Sequence, residues 1–280
     1  MHNFEKSVYI DISTFDCLKE KGQTVIEISE NILKNFFLHY DYPTKVYIEN
    51  FNFQNRNYTI KSWNKIISII QKEEIRHLLI NTVRNSDSIQ PELSLSVTFD
   101  YSYNDKLYDK MVIANNISFS LKERFLNLET PKIQQKLITE TFIDIFKNIN
   151  AVVGFIDIGY RHATIIPNST SFEEAHKCSF VNHSNMFRKN ARGFFWGNIL
   201  SEEHIYKLGG INTIREKAPC YHIKSFNFGD GRNAVYMQLS ENINHYTEDE
   251  LNSLGNFLKP VLPAVNSIYC NILNKSFECI

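Results

Sequence analysis

The stretch Leu93-Ser94-Leu95-Ser96-Val97-Thr98-Phe99-Asp100-Tyr101 alternates apolar and polar residues without a break. Successive side chains of a strand point to opposite faces, so this run fits a strand with one face buried and the other wet. A second run, Met111 to Leu121, follows across a polar turn, and the two together predict a β-hairpin. Thr130-Pro131 then opens a helix, with a hydroxyl cap and a proline whose missing N–H costs nothing at the first helical position. Its stripe is Ile133, Leu137, Ile138, Phe142, Ile145 and Phe146. The run Val152 to Gly159 is apolar enough for a central strand.

The first third adds a strand at Val8–Ile12, a helix from Val25 to His39, a strand at Lys45–Phe53 and a helix after Ser62 carrying Trp63, Ile66, Ile67 and Ile70. In the last third, Ser201 reads as the cap of a helix over Glu202–Leu208 that stops at Gly209-Gly210. Tyr221–Phe228 and Asn233–Leu239 flank a Gly-Asp-Gly-Arg turn, a hairpin signal. Thr247 with Glu250 forms a capping box for a helix with Leu251, Leu254, Phe257 and Leu258 inward. These elements predict the α+β class, antiparallel sheet with helices packed on one side. The turn-forming stretch Asn85–Pro91 marks a boundary between an N-terminal α+β segment, 1–85, and a region spanning 91–280; one continuous globular unit is the alternative.

Composition narrows function. The chain has 280 residues, 30 Lys and Arg against 31 Asp and Glu, and a net charge of −1. That balance lacks the basic field behind non-specific phosphate binding, so nucleic acid is not an expected partner. No apolar run approaches the roughly 20 residues that cross a bilayer, and Met1-His2-Asn3-Phe4-Glu5-Lys6 does not read as a secretory signal. Five scattered cysteines without a C-x-x-C pair suit reduced thiols, and the expected location is cytoplasmic.

Phosphate-loop, dinucleotide, nucleophile-elbow and zincin motifs are absent, and no acid stands two residues before a lysine as in one large group of metal-dependent nucleases. His162, His176, Cys178 and His183 form the one metal-like cluster, at a spacing that matches no standard finger. Cys220 and His222 share one strand face, but nucleophile pairs are assembled across a fold rather than from neighbours. A metal-free, cofactor-free chain is therefore expected, with an enzyme at the His/Cys cluster as the alternative and a small-ligand sensor as a third reading.

The informative stretch is Arg192-Gly193-Phe194-Phe195-Trp196-Gly197-Asn198-Ile199-Leu200-Ser201, continuing through Leu208-Gly209-Gly210 and Ala218-Pro219 to Val235-Tyr236-Met237-Gln238-Leu239. The glycines fit a Phe-Phe-Trp strand that another backbone approaches closely. Trp196 reads as a core anchor, the alternative being an exposed partner contact, and Asn198 as a residue that bonds loop backbone. The R-G-x-x-W-G-N-x-L-S core with the later L-G-G and A-P resembles the type VI immunity family, the TsiV-like proteins encoded beside toxic effectors of bacterial type VI secretion. Quotable motifs run from 192 to 263; residues 1–85 carry none.

The resemblance implies a non-catalytic immunity protein that holds a cognate effector, of the nuclease type, at about one to one. Arg192, Gly193, Trp196, Gly197, Asn198, Leu208, Gly209, Gly210 and Pro219 then read as fold signature. Against a basic effector groove, the expected contacts are Asp230, Arg232, Glu248, Asp249 and Glu250.

Overall fold

The computed structural model describes residues 6–37, 44–50, 55–58, 60–72, 75–83, 91–99, 114–125, 131–160, 187–228 and 230–263. Ten strands join one antiparallel sheet: β1 (Lys6–Thr14), β2 (Thr44–Asn50), β3 (Asn55–Tyr58), β4 (Ile75–Thr82), β5 (Leu93–Thr98), β6 (Asn115–Lys122), β7 (Val153–Tyr160), β8 (Gly197–Ser201), β9 (His222–Asn227) and β10 (Asn233–Gln238). Their order is β3-β2-β4-β5-β6-β1-β7-β8-β10-β9. The predicted hairpin is present as the β5–β6 pair, with Leu95 opposite Phe119. Strands β4 and β5 pair directly although Asn85–Pro91 separates them in sequence, so the sheet runs across the predicted boundary. The N-terminal strand β1 sits between β6 and β7.

Helix α1 (Gly22–Phe37) buries Val25, Ile28, Ile32 and Phe36, a helical stripe. Phe36 lies against Phe119 of β6, ring centroids 6.1 Å apart. Helix α2 (Trp63–Lys72) buries Ile66, Ile69 and Ile70, and the backbone of Gly22 lies so close to Ile70 that a Cβ there would come within 3.1 Å of it. Helix α3 (Pro131–Asn148) covers the other end of the same face, with Phe142 near Tyr236 and Phe146 near Phe226. Its exit is a Schellman closure: Asn150 takes the left-handed conformation, its N–H reaches Lys147 O, and the Ala151 N–H reaches Phe146 O. The Thr14 hydroxyl donates to Ile149 O at 2.7 Å and ties that exit to the end of β1.

The fold is α+β, as the alternation and the helical stripes predict. Sequence periodicity does not reveal β4, because Leu78-Leu79-Ile80 is a short apolar run that suits helix and strand equally. Three local details also differ from expectation. Phe194-Phe195-Trp196 belongs to no strand, and β8 starts only at Gly197. Ser201 does precede helix α4 (Glu202–Lys207), but its hydroxyl bonds to His204 Nδ1 at 3.2 Å instead of capping the backbone. Gly209-Gly210 ends α4 and at once opens another helix, α5 (Ile211–Lys217). The capping box is present at the start of α6 (Glu248–Leu258). Among the described residues no helix is long and apolar enough to cross a membrane.

Candidate functional site

The 191–196 segment, just before β8, crosses the sheet face opposite α1–α3. Phe195 stacks on Phe155 of β7 with ring centroids 4.0 Å apart, and Phe194 lies against Gly255 of α6, so the segment is pressed between sheet and helix. The cause of the irregular backbone is Asn198. Its amide accepts from the Phe195 N–H at 3.2 Å and donates to the Phe195 carbonyl at 2.7 Å, replacing ladder bonds with side-chain bonds. Trp196 is 1% exposed, and its indole N–H donates to the carbonyl and hydroxyl of Ser240, both at 3.1 Å. It is a core anchor.

Gly197 is needed for close approach, since a Cβ there would sit 3.3 Å from both Ile156 and Tyr236. Arg192 pairs with Asp11 of β1 at 3.1 Å and lies over the Phe155 ring, which joins the motif to the N-terminal third. Leu208, Gly209 and Gly210 close α4 as a Schellman motif, with Gly210 N–H to Ile205 O and Gly209 N–H to Tyr206 O; both glycines have φ near +90°. Pro219 is exposed in the link to β9, bridged by the Cys220 N–H to Ala218 O bond. The motif thus builds the fold.

The charged residues expected at a partner surface lie on two elements, the β9–β10 turn and the start of α6. Asp230 and Arg232 close the β9–β10 turn on each other, Nε to Oδ2 at 2.8 Å, and Arg232 holds the Asp230 carboxyl below its ordinary range. Glu248, Asp249 and Glu250 are exposed at the start of α6, whereas Asp230 and Arg232 lie in the turn that precedes β10. Glu250 accepts from the Thr247 N–H at 2.7 Å and from its hydroxyl, bonds that hold its carboxyl low.

His162, His176, Cys178 and His183 lie outside the described residues. Among the described ones, no group of three or more His, Cys, Asp or Glu could hold a metal. Cys220 is a poor nucleophile, because burial pushes its thiol up to about 12, and His222 is exposed beside it. His204 is fully buried, which lowers it to about 4 and keeps it neutral. On the motif face, buried Asp157 accepts from the Tyr246 hydroxyl at 2.8 Å.

One feature escapes sequence reasoning. Between α3 and the β9–β10 hairpin lies a cleft of about 390 Å³ whose floor is the Tyr236 hydroxyl, Thr139, Gln135 and Gln238, with His222 and Lys224 at the mouth. The Tyr236 hydroxyl donates to Gln238 at 3.1 Å, and burial raises it well above the usual phenol range. The walls come from segments some 80 residues apart, and only the exposed His222-x-Lys224 pattern hints at them.

Neither protein-family models nor curated proteins give a match to this chain. Among solved structures, the Pseudomonas aeruginosa T6SS protein PA0821 (T6SS, type VI secretion system) is similar, with a TM-score of 0.60 over 92% of this chain and 76% of that one. Identity is 12%, so the likeness is one of fold.

Proposed function

We propose that this chain is an immunity protein of type VI secretion, which binds a cognate effector and blocks it by occupancy rather than by a reaction. The observation that carries the reading is a convergence. The 192–201 motif resembles the type VI immunity family, and the whole-chain fold is similar to that of a T6SS protein from Pseudomonas aeruginosa. These are independent, since one rests on ten residues and the other on backbone geometry at 12% identity. The chemistry of the described residues is compatible with binding. The motif's arginine, tryptophan and asparagine are bonded within the fold, and the Cys220 thiol is protonated at neutral pH.

The effector we propose is of the nuclease type, and the site of protection is then the cytoplasm, where nucleic acid is attacked. An inhibitor without turnover must match its target one to one and dissociate slowly. The test is a pull-down of the tagged protein from its own cells, with quantification of what co-purifies. The expected partner is an effector encoded beside this gene, at equimolar amount. Absence of any effector at expression levels that protect the cell overturns the reading.

A further inference from the structure

The two edges of the sheet differ. Strand β3 has four residues, whereas β9 has six and, among the described residues, ends the sheet beside the α3 cleft. An edge strand presents unpaired N–H and C=O groups to any extended chain that can reach it, and pockets next to it then select alternate side chains of the incoming strand. Beside β9, Tyr221 stands 61% exposed at the lip of the cleft, one of two large apolar side chains that are exposed among the described residues.

Charge decides what fits. His222, Lys224 and Phe226 share the face towards α3, where Lys147 lies over the Phe226 ring at 5.0 Å. Lys224 has no ion pair among the described residues. Of the two carboxylates lining the cleft, Glu140 is matched by Lys136 at 3.9 Å and Glu241 is already engaged. The mouth therefore offers an anionic side chain an exposed lysine that makes no ion pair among the described residues. A second copy of β9 would gather two lysines and two histidines on one face, so self-pairing is disfavoured by the same charges that favour an acidic strand.

We infer that β9 is the docking edge for an extended acidic segment of the effector, which adds as an eleventh strand and sends a carboxylate side chain into the α3 cleft. This rests on the immunity reading and names its contact surface.

The experiment is hydrogen exchange on the complex with the effector encoded beside this gene, paired with affinity measurements on Lys224→Glu and, at the far end of the sheet, Lys45→Glu. Expected are at least tenfold slower exchange within 221–227 on binding, no change at 55–58, at least tenfold weaker binding for Lys224→Glu, and wild-type binding for Lys45→Glu. Thermal melting of both variants confirms that they fold. If the wild type does not bind the effector, the immunity reading falls and this inference with it. If it binds, but β9 gains no protection or Lys224→Glu binds as the wild type does, the inference alone is overturned. Dimerisation through β9 without effector also overturns it.

Discussion

One row of residues across the sheet compares its two halves directly. Ser96 on β5, Ser118 on β6, Asp11 on β1, Phe155 on β7 and Asn198 on β8 are successive register partners on the face away from α1–α3. On the β5–β6 side the row is serine, and burial alternates strictly along both strands. On the β7–β8 side it is Phe155 and the internally bonded Asn198, and it is covered: all five residues of β8 are buried, and four of six in β10. A sheet half with helices on one face needs one apolar set, while a half covered on both faces needs two. The pair Arg192–Asp11 marks the seam, since Arg192 meets a carboxylate on β1 and an aromatic face on β7.

The largest break of this contrast should come from the doubly covered half. Trp196→Ala empties a fully buried indole site and removes the indole N–H bonds to Ser240, so a loss on the order of 3–5 kcal/mol is expected in denaturant unfolding. Unchanged stability with lost partner binding would instead make Trp196 an interface residue.

Next is pH. His204 is held neutral by burial, with a folded value of about 4 against 6.5 unfolded. Between these limits the unfolded chain binds the extra proton, so stability should fall as pH drops from about 6.5 to 4, by roughly 3 kcal/mol in all. His204→Leu should flatten unfolding midpoints across that window. A slope that persists unchanged assigns it to other groups.

A smaller effect is expected for Gly197→Ala. Its Cβ meets Ile156 and Tyr236 at 3.3 Å, and overpacking of this kind costs about 1–3 kcal/mol. The smallest belongs to the other half: Ser118→Val on the polar face should change stability by no more than about 0.5 kcal/mol. A loss above about 2 kcal/mol at Ser118 would show that its face is packed as tightly as the motif's.

The same contrast explains what could be read in advance. Strict alternation at Leu93–Thr98 fixes a one-sided strand, and Thr247 with Glu250 fixes a helix start, because both signals are local. The Phe-Phe-Trp run reads as a strand but joins none, since one downstream side chain, Asn198, takes both backbone groups of Phe195. Strand β4 hides in a continuous apolar run. The cleft beside β9 is illegible for a different reason: Gln135 and Thr139 meet Tyr236 and Gln238 only through sheet order, which no spacing encodes.

The most direct test of capture by occupancy is to titrate the effector's activity with this protein at effector concentrations well above the dissociation constant. The expected curve falls linearly and breaks at one equivalent. Full protection far below one equivalent would mean that the protein modifies or destroys its target, and would contradict the proposed protection by binding alone.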